Sequence, residues 1–333
     1  MQMDNERILI TGSAGFIGSH VADRVMGLGA RVIGVDNFDP YYDVDRKRAN
    51  HAGLQRAYGD RFVSHEMDIT DEAALAGVMD GQGLTGVIHL AAKAGVRPSI
   101  ADPGGYALAN VVGTQRVLSA ASACGCGRVV CASSSSVYGN NEKTPFAEID
   151  SVEHPISPYA ATKRSCELIG ETHHHLTGMP VAMLRFFTVF GPRQRPDLAI
   201  SLFLGKVARG ETINKFGDGT TSRDYTYIDD IVTGVLRAYE RIPAHGYRIW
   251  NLGGDHPITL NGLIEAIEGV VGKDAVINEM GMQAGDVDRT WADLSRSGVE
   301  LGYAPTTSIE DGIARQFAWM RSSGLIEQRA TES

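Results

Sequence analysis

The sequence predicts an α/β protein with a doubly wound parallel sheet and a smaller C-terminal lobe that is discontinuous in sequence. Five short apolar segments alternate with helical segments between Arg7 and Ala132. The first segment ends in a glycine-rich turn, and the second ends in an acidic residue. Short apolar runs separated by helices are typical of parallel strands that are buried on both faces. A chain of 333 residues is long enough for one such domain and a lobe.

Composition narrows the functional classes before any motif is considered. The formal net charge of −9 argues against nonspecific nucleic-acid binding, which needs a basic surface. The sequence has no apolar run long enough to span a membrane, and its polar amino terminus does not resemble a signal peptide. We therefore expect a cytoplasmic protein without a membrane partner. The four cysteines lack zinc-type spacing, so we expect free thiols and no metal site.

The first predicted strand, Arg7–Thr11, leads into a Gly-x-x-Gly-x-x-Gly turn and a helix predicted over Ser19–Leu28. Glycines at this spacing permit a tight turn and close approach of a pyrophosphate, and the helix N-terminus offers free N–H groups to it. The sequence therefore predicts dinucleotide contacts in this turn, at Gly12, Gly15, Phe16, Ile17 and Gly18.

The second predicted strand, Arg31–Val35, is followed by Asp36, which lies 18 residues after Gly18. An acid at about this spacing accepts hydrogen bonds from ribose hydroxyls and repels a 2′-phosphate, so NAD is favoured over NADP. The third strand, Phe62–Glu66, is followed by residues that can meet the adenine. The predicted cofactor contacts at these two strand ends are Asp36, Asn37, Asp68 and Ile69.

The fourth and fifth predicted strands, Gly86–Leu90 and Val129–Ala132, add a small-residue loop and a serine run at the same sheet edge. Small side chains at a strand's carboxyl end allow a ligand to approach closely. We expect further cofactor contacts here and in the helix predicted over Tyr106–Ala123, namely Leu90, Ala91, Ala92, Lys93 and Asn110.

A helix is predicted to begin at Pro158, because Ser157 can cap it and proline fits the first helical position. Tyr159 and Lys163 then share one face. Alone, such a pair is more often a half-buried aromatic beside a solvated lysine; the glycine turn and the serine run make catalysis the better interpretation. A phenol has a reference pKa of about 10, and a nearby ammonium group and the positive nicotinamide of NAD⁺ favour the phenolate. The predicted chemistry is alcohol–ketone redox on NAD, with Ser134 positioning the hydroxyl.

The rest of the chain predicts further strands and helices and a division into two parts. Predicted strands are Met183–Val189, about Ile213–Phe216, about Asp224–Tyr227 and Arg248–Leu252. Predicted helices are Leu198–Arg209, Ile228–Glu240, Thr259–Val271 and Ile309–Arg321, the last with a capping box at Thr307 and Glu310. We expect an NAD-binding domain of residues 1–191 with about 228–253 and 304–325. Residues of about 192–227 and 254–303 are expected to form a smaller lobe over the sheet edge.

Together these motifs resemble the extended short-chain dehydrogenase/reductases, a Rossmann-like family of NAD-dependent epimerases and dehydratases. Within that family the sequence is most similar to the UDP-glucuronate 4-epimerases. The segments that carry this similarity are Ala94–Pro98, Ala132–Gly139 and Arg185–Asp197, beside the glycine turn, His89–Ala92 and the Tyr159–Lys163 pair.

The resemblance implies that the smaller lobe binds a nucleotide sugar, and it implies a mechanism and a set of substrate contacts. Tyr159 would deprotonate the sugar 4-hydroxyl while NAD⁺ takes the C4 hydride; the 4-keto sugar would turn over and regain the hydride on its other face. Ser134 would be the catalytic serine. Hydroxyls of Ser135, Ser136 and Thr188 would surround the sugar carboxylate. The implied nucleotide, diphosphate or lid contacts are Arg195, Phe216, Arg223 and Asp286. Many relatives carry an arginine just before Gly285, where this chain has Gln283-Ala284.

The resemblance leaves alternatives open and implies a homodimer. A UDP-glucose or UDP-N-acetylglucosamine 4-epimerase is the nearest alternative. A UDP-glucuronate decarboxylase usually carries glutamate at position 136, and dehydratases carry Asp-Glu at positions 135 and 136, where this chain has serines. A non-catalytic NAD-binding regulator would not need Tyr159 and Lys163. The expected dimer packs the helices Tyr106–Ala123 and Ser157–Thr177 across a twofold axis.

Overall fold

Seven parallel strands form the central sheet of the computed structural model, which describes residues 2–281 and 287–326. The strands are β1 (Arg7–Thr11), β2 (Arg31–Asp36), β3 (Phe62–Glu66), β4 (Gly86–His89), β5 (Val129–Ser134), β6 (Val181–Phe186) and β10 (Tyr247–Leu252). Their order across the sheet is β3-β2-β1-β4-β5-β6-β10, and every neighbouring pair is parallel. The chain therefore runs outward in one direction from β1 and in the other from β4, which confirms the predicted doubly wound sheet.

Alternation along β1 places its side chains in two apolar cores, one on each face of the sheet. Ile8 and Ile10 belong to one core, and Leu9 between them belongs to the other. The helices of this domain are α1 (Phe16–Gly27), α2 (Val44–Tyr58), α3 (Glu72–Met79), α4 (Val96–Ala101), α5 (Pro103–Tyr106), α6 (Gly113–Ala123), α7 (Pro158–Thr177) and α9 (Ile228–Arg241). Helices α1 and α9 contribute to the first core, and α3, α6 and α7 contribute to the second.

Two helix predictions in this domain need correction. Helix α1 begins at Phe16 rather than Ser19, because the glycine turn closes within the first turn of the helix and Gly15 is its N-cap. The segment Tyr106–Ala123 is not one α-helix: residues 107–112 form a π-helical turn between α5 and α6. Such turns often occur at functional sites, and Asn110 lies within this one.

In the part of the chain that the structure describes, two smaller sheets lie outside the central one. The strands β7 (Thr188–Phe190), β9 (Ser222–Tyr227) and β11 (Pro257–Thr259) form the first, and β8 (Thr212–Phe216) and β12 (Val276–Met280) form the second. The predicted strand Met183–Val189 is therefore two strands that separate at Phe187. The apolar run gives no sign of this break, because both strands are buried. The remaining helices are α8 (Ala199–Arg209), α10 (Leu260–Val271), α11 (Ser295–Leu301) and α12 (Ile309–Ser322).

The N-cap residue is the predicted one at α7 but not at α12. Ser157 Oγ accepts from the Ala160 N–H at 3.1 Å, so the predicted cap of α7 is confirmed. Helix α12 is capped by Ser308, whose Oγ accepts from the Asp311 N–H, and the predicted box at Thr307 is wrong by one residue. The cause is tertiary: the Thr307 N–H donates to the carboxylate of Asp230 in α9 at 3.2 Å.

Three sequence predictions concern membrane-spanning helices, cysteines and metal ligands. Among the described helices, none is long and apolar enough to cross a membrane. All four cysteines are free thiols. Within residues 2–281 and 287–326, no cluster of three or more His, Cys, Asp or Glu side chains is arranged to hold a metal ion.

Candidate active site

A cavity of about 560 Å³ opens at the carboxyl ends of the parallel strands, where the strand order reverses between β1 and β4. Open α/β sheets bind ligands at this position. Most of the predicted site residues line it, although they come from widely separated segments of the chain. They are Gly12, Gly15, Phe16, Ile17, Gly18, Asp36, Asn37, Asp68, Ile69, Leu90, Ala91, Ala92, Lys93, Ser134, Ser135, Tyr159, Lys163, Thr188 and Arg195.

The glycine turn is packed too tightly for any side chain at two of its positions. Gly12 has a φ of +71°, and a Cβ placed there would lie 2.8 Å from the backbone nitrogen of Ala91. A Cβ at Gly18 would lie 2.0 Å from the carbonyl oxygen of Gly12. The turn can therefore bring its own backbone against the end of β4 and against α1. The N–H groups of Gly12, Ser13, Ala14 and Gly15 donate within the protein, so the donors offered to a phosphate are those of the first turn of α1.

Asp36 is held in a fixed orientation at the end of β2. Its Oδ2 accepts from the Ala14 N–H at 3.0 Å, and its Oδ1 accepts from the Phe38 N–H at 2.8 Å. Each carboxylate oxygen keeps a further acceptor site, and the residue lines the cavity. The arrangement suits two ribose hydroxyls and disfavours a phosphate in the same place.

Tyr159 and Lys163 lie on the first two turns of α7 and face the cavity. The Tyr159 N–H donates to Ser99 Oγ at 3.1 Å, and its ring meets the Tyr106 ring edge-to-face at 6.2 Å. Lys163 is buried, and its Nζ donates to the Ala132 carbonyl oxygen of β5 at 2.9 Å. The strand that carries the serine run thus holds the buried ammonium group of Lys163, which lies one helical turn from Tyr159.

His89 lies beneath this pair and is fully enclosed. Its Nδ1 is 2.7 Å from Thr11 Oγ1, and its Nε2 is 3.0 Å from Thr114 Oγ1. Burial, and secondarily the charge of Lys163, lowers the pKa of His89 to about 3. His89 is therefore neutral at physiological pH and leaves Lys163 as the positive charge in this part of the site. The sequence singled out His89 only as part of a family motif.

The serine run spans the end of β5 and the short 3₁₀ turn after it, so the strand continues two residues beyond the predicted Val129–Ala132. Ser134 Oγ accepts from the Ser136 N–H at 3.1 Å, which orients this hydroxyl at the cavity wall. Ser136 does not line the cavity. Its Oγ is buried and has no hydrogen-bond partner within the described residues.

Arg195 joins three loops at the cavity mouth. Its Nη2 donates to the Tyr41 hydroxyl at 3.2 Å, and its guanidinium carbon lies 4.7 Å from the centre of that ring. Nη1 donates to the Ala94 carbonyl oxygen at 3.3 Å, and Asp197 forms an ion pair with the same side chain at 2.6 Å. Burial alone would lower the pKa of Arg195, but the hydrogen bond to Asp197 raises it above its ordinary value.

Tyr41 is a cavity residue that the sequence analysis missed. It belongs to the loop after β2, and the signal that could have found it is positional: any loop that leaves the carboxyl end of a central strand borders this cavity. Tyr42, Lys47 and Phe187 line the cavity and were also missed.

Three other predicted site residues lie away from the cavity wall. Asn110 is buried behind it: its Oδ1 accepts from the Lys93 N–H at 2.8 Å, and its Nδ2 donates to the Lys93 carbonyl oxygen at 3.0 Å. Phe216 lies on β8 with the Arg97 guanidinium 5.5 Å from its ring centre. Arg223, on β9, donates to the Ser222 carbonyl oxygen at 2.9 Å. The predicted ribose contact Asp286, with Gln283, Ala284 and Gly285, lies outside the described residues.

Comparisons with known proteins identify the same family throughout. Residues 8–253 match the family described as the NAD dependent epimerase/dehydratase family. A protein named probable UDP-glucuronate 4-epimerase from Rhizobium meliloti is 41% identical, and the match covers 94% of this chain and 96% of that protein.

Two solved structures cover almost the whole chain. UDP-glucuronic acid 4-epimerase from Bacillus cereus, in complex with UDP-glucuronic acid and NAD, has a TM-score of 0.88 at 34% identity. UDP-glucose 4-epimerase from Thermotoga maritima, with UDP-glucose, has a TM-score of 0.86 at 31% identity. Each match covers 95% of this chain and 99% of the other.

Proposed function

Because this chain belongs to the NAD-dependent epimerase/dehydratase family, we propose that it is an NAD-dependent UDP-sugar 4-epimerase that converts UDP-glucuronate to UDP-galacturonate. The observation that carries the proposal is that one cavity brings Tyr159, Lys163 and Ser134 together with the glycine turn. The sugar is inferred from the relatives, since the R. meliloti and B. cereus proteins are named for UDP-glucuronate or UDP-glucuronic acid.

The residues present fit NAD. Gly12 and Gly18 let the turn pack tightly against the end of β4 and against itself, which suits a pyrophosphate at the N-terminus of α1, and Asp36 offers acceptors to the adenosine ribose. When bound, NAD supplies the hydride acceptor and donor for the sugar C4 carbon.

Residues of this chain transfer the proton of the sugar 4-hydroxyl. Tyr159 accepts the proton of the sugar 4-hydroxyl as a ketone forms at C4, and it returns a proton to that oxygen when the hydroxyl is restored. The ammonium group of Lys163, held by the Ala132 carbonyl, stabilises the phenolate that accepts the proton. Ser134 donates to the same sugar oxygen and holds it near the phenol.

In the proposed sugar site, hydroxyl groups bind the carboxylate of the sugar. Ser135 and Thr188 line the cavity, and Ser136 supplies a buried hydroxyl close by. An additional acidic side chain at these positions would repel the carboxylate, and this chain has none there. Phe216, Arg223 and Asp286 are proposed nucleotide contacts. The division into a domain of 1–191, 228–253 and 304–325 and a lobe of 192–227 and 254–303 stays a prediction.

Proton NMR of the product mixture from UDP-glucuronate, with no cofactor added, tests the function. We expect UDP-galacturonate to accumulate to equilibrium with little CO₂ release. Turnover of UDP-glucose with no turnover of UDP-glucuronate would assign the chain to the UDP-glucose 4-epimerases instead, in keeping with its similarity to the T. maritima structure. Release of CO₂ with a UDP-pentose as the main product would identify a decarboxylase.

Substitution of Gly18 tests the cofactor site separately from turnover. Gly18→Ala places a Cβ 2.0 Å from the Gly12 carbonyl oxygen, so the turn must open and its N–H groups must move. We expect purified Gly18→Ala protein to carry at least tenfold less NAD than wild type, measured by chromatography after acid release. Gly53→Ala is the matched control, because nothing lies within 4 Å of a Cβ at that position in α2. Equal NAD content in wild type and Gly18→Ala would contradict the assignment.

We propose a homodimer that packs α6 and α7 against the same helices of a second copy. Leu168 and Leu176 expose large apolar surfaces on α7, and a groove of about 200 Å³ lies between α6 and α7. Burial of such a surface stabilises association. A cytoplasmic location stays a prediction.

Light scattering on purified protein tests the dimer. We expect a mass about twice the 35.8 kDa of one chain and a shift toward the monomer in Leu168→Glu, which places a charge in the proposed interface. Val299→Glu, at another exposed apolar position on α11, is the control and should leave the mass unchanged. A wild-type mass of one chain at working concentration would refute the proposal.

A further inference from the structure

Glu167 lies near the middle of α7, and its carboxylate accepts four hydrogen bonds. Its side chain has no exposed surface. Oε1 accepts from Ser133 Oγ at 2.7 Å and from Arg185 Nε at 2.8 Å. Oε2 accepts from Arg185 Nη2 at 2.9 Å and from Arg164 Nη1 at 3.1 Å. Both oxygens are therefore fully used inside the protein, and Glu167 cannot reach a ligand.

Glu167 belongs to the same helical face as the catalytic pair. Tyr159, Lys163 and Glu167 follow one another at intervals of four residues, so each lies about one turn beyond the last. Lys163 Nζ donates to the carbonyl oxygen of Ala132, and Glu167 accepts from the hydroxyl of the next residue, Ser133. Two successive turns of α7 are thus bound to two successive residues of β5.

The residue of β5 that follows Ala132 and Ser133 is Ser134, whose hydroxyl is proposed to bind the reacting oxygen. Successive side chains of a strand point to opposite faces. The Ser133 hydroxyl is bound to Glu167 of α7, whereas the Ser134 hydroxyl makes no bond to α7, although both residues border the cavity. In the register of the sheet, Ser133 lies opposite Arg185 of β6, and Glu167 contacts both. One carboxylate therefore joins the catalytic helix to the ends of both strands.

We propose that Ser133 is a positioning residue for the epimerisation and that its hydrogen bond to Glu167 sets the distance between Ser134 and the Tyr159–Lys163 pair. This inference rests on the proposed function, and it adds a residue whose hydroxyl is bound to Glu167 and acts through Ser134. A hydrogen bond to a carboxylate is shorter and stronger than one between neutral groups. At 2.7 Å and fully buried, the Ser133–Glu167 bond restrains the last residues of β5 where misplacement of a catalytic group by about 1 Å slows a reaction by up to about 100-fold.

Ser133→Ala removes this one bond and leaves the Glu167–Arg185 ion pair intact. We expect kcat for UDP-glucuronate to fall about tenfold, with KM and NAD content within twofold of wild type and Tm within about 2 °C. The C4-deuterium isotope effect on kcat should rise, because the chemical step becomes slower relative to product release. Ser165→Ala is the matched control. It also removes one serine hydroxyl from a hydrogen bond, but that bond ends on the Ala161 carbonyl within α7 and does not reach β5.

The outcomes separate a positioning role from a merely structural one. An unchanged kcat in Ser133→Ala would overturn the inference, and so would a fall in kcat that Ser165→Ala reproduces. A lower Tm or a loss of bound NAD that accounts for the whole fall would also overturn it, because that pattern reports general loosening. If wild-type protein does not epimerise UDP-glucuronate, the proposed function fails first and the inference fails with it. If wild type and Ser133→Ala turn over UDP-glucuronate equally, the inference fails and the proposed function stands.

Discussion

Tyr159→Phe is expected to lower the rate of UDP-glucuronate epimerisation about 1,000-fold while the protein keeps its NAD. The substitution removes one oxygen atom at the cavity wall and leaves the ring, which packs edge-to-face on Tyr106. Loss of a positioned general acid–base group slows a reaction by about 10² to 10⁴-fold. The rate is measured by NMR of the UDP-galacturonate formed, and bound NAD is measured in the same preparation.

Tyr239→Phe is the control for this prediction. It deletes the same atom from a buried tyrosine whose hydroxyl donates to Glu6 Oε2 at 2.8 Å, on a part of α9 that does not line the cavity. Its turnover should equal that of wild type. More than about a tenth of wild-type activity in Tyr159→Phe would mean that another group moves the proton, and the proposed mechanism would have to be abandoned.

Glu167→Ala is expected to be the most destabilising single substitution proposed here. It leaves the guanidinium of Arg185, which has 1% of its side chain exposed, without its carboxylate partner. Burial alone would lower the pKa of Arg185, but the hydrogen bonds to Glu167 raise it above its ordinary value, so this side chain stays charged. Removing one partner of a buried ion pair costs about 3–5 kcal/mol. For 333 residues this loss lowers Tm by about 5 °C, measured by calorimetry.

The control is an ion pair at the surface. Arg237 and Glu240 lie 3.5 Å apart on α9, and each keeps more than two fifths of its side chain exposed. Exposed pairs contribute about 0–1 kcal/mol, so Glu240→Ala should leave Tm within about 2 °C of wild type. A fall in Tm for Glu167→Ala no larger than that of the control would show that the buried network does not stabilise the fold.

Elements with purely local signals were predicted accurately. The strands Arg7–Thr11 and Phe62–Glu66 have the predicted limits, because short runs of strand-forming residues between turn signals leave little freedom in where they end. Helix α7 begins at Pro158 with Ser157 as its cap, since both preferences depend on neighbouring residues only. Most of the predicted cavity residues follow strand ends, so the topology brought them together once the strands were placed.

Features that depend on distant parts of the chain were missed. The break at Phe187 separates β6 from β7 because the first part of one apolar run pairs in the central sheet and the last part pairs in a smaller sheet. The π-helical turn contains Asn110, which holds both backbone groups of Lys93. Asn110 therefore supports the cavity wall and does not line it.

The sequence by itself determined the parallel α/β architecture, the NAD-type turn with Asp36 and the Tyr159–Lys163 pair, because each depends on spacing along one segment. Only the tertiary structure decided that Glu167 joins α7 to Ser133 and Arg185, and that Arg195 meets Tyr41. These contacts link residues that are 34, 18 and 154 positions apart. No local pattern specifies such contacts, since they form only when folding packs separate strands, helices and loops against one another.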